Sequence, residues 1–332
     1  ADARFSIDPT TQDIDVDHPF ITDTRTESDT SDEQRYILLL EDGLAPDATA
    51  DRQTVVEQLK SQATQAQQPV VERLDALPVT VDTQFWIVNA LSVTIDSDDV
   101  SVADLERVAG VEHVVENAEL RLPRPAGDST ELSRDDVRTQ QTYGLQQIDV
   151  PNFEDTFGSQ GEGTTVAIID NGIGTTNLSE VHPDINISLA ASVVGGQIIE
   201  GELGPAGNHG LHTAGTATGA ADPAGNVPRY SVAPAAELIK INSFAGGGSF
   251  LGDSLAGIQY SVAQGADVAS LSLGLPPSAT NGLSNIQLAT EEATQNANDA
   301  GMSVVGAIGN EGSGPVGGPG GSPGPEFSTL GI

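Results

Sequence analysis

Four short apolar segments in the second half of the chain restrict its fold more than any other feature. They are Thr165–Ile169, Glu237–Ile241, Val268–Leu273 and Ser303–Ile308, and stretches with a helical pattern lie between them. Strands that are apolar along their whole length and joined by helices are typical of a parallel sheet covered on both faces. The sequence therefore predicts a three-layer α/β domain with a parallel sheet over residues 141–332.

Asp170 directly follows the first of these segments and precedes Asn171 and Gly172, a pair that predicts a sharp turn. In open α/β sheets, functional groups collect at the carboxyl ends of the strands. A carboxylate placed there can accept a hydrogen bond from Nδ1 of a histidine and stabilise the imidazolium as it forms. A plain Asp-Asn-Gly turn without a function is the alternative.

Two histidines, His209 and His212, lie three residues apart where a helix rich in Ala, Thr and Gly begins. The spacing also fits a metal pair, but the acidic partner and the third ligand of a zinc helix are not evident. With Asp170 upstream, His209 is interpreted as a general base that takes a proton from a serine and returns it to a leaving amine. His212 is predicted to be a packed structural histidine.

Asn310 comes at the end of the last apolar segment, and Gly309 and Gly312 leave space around its side chain. The parallel sheet would bring this asparagine to the edge that carries Asp170. A fixed amide donor at that edge can stabilise the oxyanion of a tetrahedral intermediate. A bare Asn-Glu-Gly turn is the alternative.

In this order, Asp-x-Gly, His-Gly-x-His-x-Ala-Gly and Gly-Asn-Glu-Gly after a small-residue strand resemble the motifs of the subtilisin-like serine proteases. The resemblance extends from about Gln34 to the end of the chain. It implies a serine endopeptidase that cleaves proteins or peptides with an Asp-His-Ser triad, in which Asp170 and His209 are two members and Asn310 serves the oxyanion hole. It implies no cofactor for the chemistry.

The nucleophilic serine has no recognisable place in the chain. Ser322 to Gly324 and Phe327 to Ile332 resemble the turn and strand that precede the family's nucleophile helix. We therefore expect the catalytic domain to be incomplete at its C-terminus, with the serine beyond Ile332, and this chain as given to be inactive. Gly320 to Gly324 also matches the Gly-x-Ser-x-Gly elbow of α/β-hydrolases, but Pro323 and the glycines around it do not fit a strand, an elbow and a helix.

The resemblance also implies two backbone segments that hold an extended substrate between them as an added strand. The segment that would line the pocket for the residue before the scissile bond contains Ser272, Leu273 and Gly274. The opposing segment contains Gly247, Gly248 and Ser249. Asp184, in His182-Pro-Asp184, matches a family aspartate that often ligates calcium, so a structural calcium ion is a further expectation.

The region before the predicted catalytic domain has a different pattern. Its strands and helices are predicted in the order β-α-β-β-α-β of a ferredoxin-like α+β domain over residues 34–122. The predicted elements are Tyr36–Leu40, Ala50–Leu77, Val79–Thr83, Phe85–Ile95, Val102–Val108 and Val111–Val115. This region resembles the inhibitory propeptide of subtilisin-like proteases, which implies that it occupies the enzyme's own cleft.

Two further segments are polar. Residues 1–33 are predicted to be an acidic tail, because the Asp13-x-Asp15-x-Asp17 run lacks the glycine and glutamate of a calcium loop. Residues 123–140 combine prolines, a glycine and several acids, which predicts an exposed linker with the maturation site.

Composition excludes several functions. The net charge of −35 makes nucleic acid an improbable partner, and the absence of cysteine excludes disulfides, thiolate metal sites and cysteine catalysis. No apolar run reaches the roughly 18 residues of a membrane helix. An acidic surface with few lysines indicates adaptation to high salt, where screening makes the repulsion tolerable. The resemblance to the proteases implies that the protein is secreted.

Two functions of different classes remain. The first is a secreted serine endopeptidase precursor that its own propeptide keeps blocked. The second is a non-catalytic remnant or a pseudoprotease that binds peptides without cutting them. The presence of Asp170, His209 and Asn310 in the expected order favours the enzyme.

Overall fold

The structure is a computed structural model that describes residues 33–122, 141–175, 177, 181–205, 207–225, 227–275 and 283–307. Residues 1–32 of the predicted tail, the predicted linker and Asn310 lie outside the described residues, whereas Glu33, the last residue of the predicted tail, begins the first strand. Below, the N-terminal region means residues 33–122, and the C-terminal region means the described residues from 141 onward.

A six-stranded sheet forms the centre of the described C-terminal region. Its strand order is β12-β11-β6-β9-β7-β8. The strands are β6 (Thr165–Asp170), β7 (Ile187–Val194), β8 (Gln197–Glu200), β9 (Glu237–Asn242), β11 (Val268–Leu271) and β12 (Ser303–Gly306). Every neighbouring pair is parallel except β7 and β8.

The four predicted strands, β6, β9, β11 and β12, are parallel as expected, but an antiparallel hairpin of β7 and β8 that was not predicted forms one edge of the sheet. Gly195 and Gly196 connect the two strands, and both have positive φ, at 59° and 79°. Two consecutive residues with positive φ match the two-residue turns that suit the twist of a hairpin. The Gly-Gly pair was the available sequence signal for this hairpin, and it was missed.

Helices cover both faces of the sheet, as predicted. The helices of this region are α3 (Tyr143–Gln147), α4 (Val150–Phe157), α5 (Asn208–Thr218), α6 (Leu251–Ala263) and α7 (Leu283–Asp299). On one face, Ile168 and Leu238 pack against Ala214 of α5. Ala167 and Ile169 belong to the larger core cluster, which also contains residues of α6 and α7. Alternate residues of β6 are thus buried on opposite faces, which explains why its sequence is apolar throughout.

A four-stranded antiparallel sheet with the order β2-β3-β1-β4 forms the N-terminal region. Its strands are β1 (Glu33–Leu40), β2 (Val79–Phe85), β3 (Ala90–Asp96) and β4 (Val111–Glu116), and its helices are α1 (Arg52–Leu74) and α2 (Val102–Leu105). The predicted element order is present. A further short strand, β5 (Glu119–Leu120), follows β4 and was not predicted.

The predicted strand Phe85–Ile95 is wrong in its first half, because residues 86–89 form the turn between β2 and β3. Side chains of the C-terminal region hydrogen-bond the backbone of this turn. Gln259 accepts from the backbone N–H groups of Trp86 and Ile87 at 2.6 and 3.2 Å, and Asn296 donates to the Ile87 carbonyl at 2.9 Å. Partners so distant in sequence leave no local pattern, so an apolar turn was interpreted as a strand.

None of the helices in the described residues is long and apolar enough to cross a bilayer.

Candidate active site

Asp170 and His209 are in direct contact at the carboxyl end of β6. His209 is the second residue of α5, and its Nδ1 lies 2.8 Å from Oδ1 and 2.9 Å from Oδ2 of Asp170. The Asp170 side chain is fully buried, whereas that of His209 is one quarter exposed. This arrangement fixes the imidazole orientation, because Nδ1 must carry a hydrogen to bond the carboxylate. Its Nε2 is then an available proton acceptor.

Two further donors hold the Asp170 carboxylate. Thr213 donates through Oγ1 to Oδ2 at 3.0 Å, and the Asn171 backbone N–H donates to Oδ1 at 2.7 Å. Thr213 lies four residues after His209 on α5, so both side chains are on one face of the helix. Thr213 was not among the predicted site residues, although this helical spacing could have identified it.

Gly210 allows the first turn of α5 to contact the turn after β6. A Cβ atom at this position would lie 2.2 Å from the Asn171 carbonyl oxygen and 2.5 Å from that of Gly172. The Gly210 N–H donates to the Asn171 side-chain oxygen at 2.7 Å, which satisfies one of the free donors at the start of the helix. The His-Gly pair is therefore required by the packing that brings His209 to Asp170.

The prediction for His212 is wrong. This residue lies in α5 but is exposed. The three-residue step from His209 to His212 corresponds to about 300° of helical rotation, which is less than a full turn. His212 is therefore outside the buried face of the helix that contains Ala214. It is neither a packed structural residue nor part of the Asp170–His209 contact.

Of the predicted triad and oxyanion groups, only Asp170 and His209 fall within the described residues. Strand β12 runs beside β11 in the same direction, and the Ala307 N–H donates to the Leu271 carbonyl at 3.0 Å. This places Ala307 at the same end of the sheet as Asp170. Within the described residues, the hydrogen bonds of the His209 ring all involve Asp170.

A backbone groove lies on the C-terminal region, and the chain's own residues 119–121 occupy it. On one side, β5 pairs antiparallel with β10 (Ser249–Phe250), with Leu120 opposite Ser249. On the other side, the Arg121 N–H donates to the Gly274 carbonyl at 2.7 Å, and the Gly274 N–H donates to the Arg121 carbonyl at 2.9 Å. Residues 119–121 are thus an added strand between two segments of the C-terminal region.

The other residues predicted to bind substrate are placed around this groove in different ways. Gly247 has a positive φ of 83° and lies in the turn before β10, and Gly248 leads from this turn into the strand. Leu273 is fully buried in the core, and Ser272 is partly buried. Among these residues, Ser249 and Gly274 are the ones that pair with residues 119–121.

Asp184, the predicted calcium ligand, is buried and accepts two hydrogen bonds. Its Oδ1 accepts from the Ala224 N–H at 3.2 Å, and its Oδ2 accepts from the Tyr230 hydroxyl at 3.4 Å. A search of the described part of the chain finds no group of three or more His, Asp or Glu side chains that could hold a metal ion. Calcium binding at Asp184 stays a prediction.

The chain belongs to the Subtilase family, whose family pattern matches residues 161–331. An alkaline protease of Shouchella clausii is 31% identical over 235 residues, which cover 70% of this chain and 52% of that protein. Subtilisin E of Bacillus subtilis is 29% identical with the same coverage. The chain thus spans about half the length of the curated relatives it matches.

A solved structure shows the same fold. Fervidolysin from Fervidobacterium pennivorans, described as a keratinolytic enzyme related to subtilisin, matches with a TM-score of 0.51. The match covers 85% of this chain and 40% of that chain at 19% sequence identity. At this identity the likeness establishes the subtilisin-like α/β fold.

Proposed function

We propose that the complete protein is a serine endopeptidase and that Asp170 and His209 form the acid–base part of its active site. The observation that carries this proposal is the contact of His209 Nδ1 with both carboxylate oxygens of a fully buried Asp170. Membership of the Subtilase family supports the reaction class.

In the proposed mechanism, Nε2 of His209 removes the proton from a serine hydroxyl as the oxygen attacks the substrate carbonyl. The imidazolium that forms is stabilised by Asp170, which stays ionised throughout. His209 then gives the proton to the leaving amine, and the peptide bond breaks to leave an acyl-enzyme. Water attacks the acyl-enzyme with the same base, which returns the serine to its starting state.

The remaining two groups of the site are proposed from the sequence. Asn310 would donate its amide hydrogen to the oxyanion, the role that its Gly-Asn-Glu-Gly motif implies. The serine would be contributed by the complete protein in the Gly-Thr-Ser setting of the family. No cofactor is needed for these steps.

We further propose that substrates bind as extended peptides in the groove between Ser249 and Gly274. The support is that residues 119–121 already pair with both sides of this groove through backbone hydrogen bonds. Leu120 is 1% exposed there, so the groove can bury an aliphatic side chain. Proteins with exposed extended segments are the expected substrate class.

The N-terminal region would then be an inhibitory propeptide with the ferredoxin-like arrangement of its elements. While residues 119–121 occupy the groove, another peptide cannot pair with the same backbone groups. Cleavage within residues 123–140 and removal of the N-terminal region would open the groove. These steps describe a zymogen.

The environment proposed for this enzyme is extracellular and rich in salt. The support is the net charge of −35, with 13 basic residues against 48 acidic ones. Salt screens repulsion between exposed carboxylates, and the Debye length falls to about 3 Å at 1 M. A structural calcium ion at Asp184 belongs to this proposal and is tested by comparing the melting temperatures of the wild type and Asp184→Asn with and without calcium.

The experiment that tests the function is peptide hydrolysis by the protein made from its complete coding sequence, in molar KCl. The expected result is hydrolysis that appears after the N-terminal region is removed and that a fluorophosphonate, a reagent for activated serines, abolishes. The matched variants are His209→Ala, which should be inactive, and the exposed neighbour His212→Ala, which should retain activity. A folded and processed protein without hydrolysis would instead support the non-catalytic, peptide-binding alternative.

A further inference from the structure

Lys240 is a fully buried lysine in a chain that has only one other, Lys60. It lies in β9, and its side chain has no exposed surface. An ammonium is rarely fully buried, because burial removes its hydration and opposes its charge. An apolar residue would fill this space without that cost, so the charge itself requires an explanation.

The strand register places Lys240 on the face of the sheet that carries Asp170. In the parallel pair β6 and β9, Ile168 is opposite Lys240, and Asp170 is opposite Asn242. Side chains two residues apart on a strand point to the same face, and so do those of register partners. Lys240 is thus one step from Asp170 along this face, beneath the end of the sheet where His209 contacts the carboxylate.

The Lys240 ammonium is held in place by backbone carbonyls. Nζ donates to the Ile241 carbonyl at 2.9 Å and to the Ile168 carbonyl at 3.4 Å. Burial lowers the pKa of Lys240 to about 8, and the charge of Asp170 acts in the opposite direction by favouring the ammonium. Near neutral pH the group is therefore a cation that Asp170 attracts.

Few other charged groups lie on the elements packed against β9. Strand β6 contributes Asp170, helix α5 contributes His209 and His212, and β7 contains no charged or titratable side chain. His212 is exposed to solvent. Among the described side chains of β6, β7, β9 and α5, the fully buried charged ones are thus Asp170 and Lys240, since Glu237 at the start of β9 is exposed.

We propose that Lys240 is a positioning residue whose buried ammonium is the counter-charge to the Asp170 carboxylate and opposes a second positive charge on the His209 ring. This inference rests on the proposed peptidase function, because it assigns Lys240 a role in setting the pH at which the base becomes active. A positive charge near an imidazole disfavours the imidazolium, and it favours a carboxylate. Both effects act on the Asp170–His209 pair without contact with substrate.

The first test is a pH titration followed by NMR on the 332-residue chain, in which the histidines are labelled with 13C at Cε1. It compares the wild type with Lys240→Met. Methionine has nearly the length of lysine without the charge. The titration midpoint of the His209 signal, assigned with His209→Gln, is expected to rise by about half a unit to one and a half pH units. The signals of His113 and His182 serve as internal controls and should not move. Because Lys240 and Asp170 are both fully buried, the shift should persist in 2 M KCl.

The second test uses the two lysines and stays informative if Lys240→Met does not fold. With 13C at Cε of lysine, the chain gives one signal for exposed Lys60 and one for Lys240. In Asp170→Asn, the titration midpoint of Lys240 should fall by about half a unit or more, because its attracting charge is gone. The Lys60 signal should not shift.

A Lys240 that only fills space would give a different result. The proposal is overturned if folded Lys240→Met leaves the His209 midpoint unchanged, or if the Lys240 midpoint is the same in Asp170→Asn and the wild type. Neither titration requires a serine, a substrate or turnover. Loss of the peptidase proposal and loss of the Lys240 proposal are therefore distinguishable.

Discussion

The active-site edge and the surface that meets the N-terminal region both contain polar side chains with specific hydrogen-bond partners, but these partners come from different distances along the chain. At the active-site edge, His209 and Thr213 bond Asp170 across 39 and 43 residues. At the other surface, Gln259 of α6 bonds Trp86 across 173 residues, and Glu292 of α7 bonds the Asn89 N–H across 203 residues. The first set lies wholly within the C-terminal region.

The difference in the origin of these partners indicates which of the two regions needs the other to keep its structure. If the N-terminal region leaves, the Asp170 hydrogen bonds are unaffected, and Gln259, Glu292 and Asn296 become hydrated on the helix surfaces. The N-terminal region loses the partners of its 86–89 turn. It also provides Asn117, whose side chain accepts from the Gly252 N–H of α6 at 2.9 Å. We infer that the Asp170–His209 site does not need the N-terminal region, whereas the N-terminal region needs the helices of the C-terminal region for its own order.

Replacement of Asp170 has the largest expected effect. In Asp170→Asn of the complete protein, only one of the two terminal side-chain atoms can still accept a hydrogen bond from Nδ1 of His209. The histidine then loses the tautomer that carries hydrogen on Nδ1, and kcat is expected to fall by about 10⁴-fold. The measurement is peptide hydrolysis after removal of the N-terminal region. The control is Asp267→Asn, at the opposite end of β6, where Oδ2 accepts from the Thr165 N–H at 2.8 Å. Equal losses in the two variants would contradict a local role for Asp170.

The contact between α5 and the turn after β6 is the next most sensitive point. Gly210→Ala puts a methyl group 2.2 Å from a backbone oxygen, so the helix must move. We expect the free energy of unfolding to fall by more than about 3 kcal/mol, as for severe overpacking. Urea denaturation measures it. Gly144→Ala, where the new methyl group meets no atom within 4 Å, should change stability by less than about 0.5 kcal/mol.

Leu120 tests the groove rather than the active-site edge. Leu120→Ala removes a side chain that is 1% exposed, so we expect a loss of about 2 to 4 kcal/mol in the stability of the unprocessed chain. The activity of the processed enzyme should be unchanged, because residue 120 has been removed with the N-terminal region. Leu288→Ala, at a leucine that is 46% exposed, is the matched control and should cost far less. A stability loss no greater than that of the control would indicate that the groove is not occupied.

Asp253, at the surface that meets the N-terminal region, is expected to make the stability of the chain depend on pH. Burial raises the pKa of Asp253 to about 6, and the carboxylate accepts from the Gly196 and Phe250 N–H groups at 2.8 and 3.0 Å. Because the folded pKa is above the unfolded one, the folded chain holds the extra proton between about pH 4 and pH 6. This contribution to stability is present at low pH and is lost as the pH rises through 6, by roughly 2 to 3 kcal/mol.

The measurement is urea denaturation of the wild type and Asp253→Asn from pH 4 to pH 8. The difference between their free energies of unfolding should change up to about pH 6 and be constant above about pH 7. A difference that is constant over the whole range would refute the raised pKa. The expected effect is the smallest of the four.

Sequence reasoning found the groups that carry local signals. Asp170 and His209 were predicted because each stands in a short motif that also determines its backbone, a turn after a strand and a glycine at a helix start. The β-α-β-β-α-β order of the N-terminal region followed from periodicity in the same way. The structure brings Asp170 and His209 into contact, and Asn310, which had a comparable motif, lies outside the described residues. The catalytic roles of all three stay predictions.

The features that were not predicted depend mostly on contacts between residues far apart in the sequence. The 86–89 turn is apolar like a strand, and only side chains about 170 to 210 residues away make it a turn. Lys240 occupies an ordinary strand pattern, and its position near Asp170 depends on the register of β6 and β9. The β7–β8 hairpin had a visible Gly-Gly signal that was not used.

The measurement that tests the central claim most directly is the hydrolysis of a peptide substrate by the complete protein after its N-terminal region is removed, compared with His209→Ala. The account predicts turnover in the wild type that falls by about 10⁴-fold or more in the variant, while both proteins unfold at similar urea concentrations. A folded wild type that binds the peptide but does not cleave it, or a His209→Ala variant that cleaves as fast as the wild type, would contradict the assignment of Asp170 and His209 as the acid–base pair of a serine peptidase.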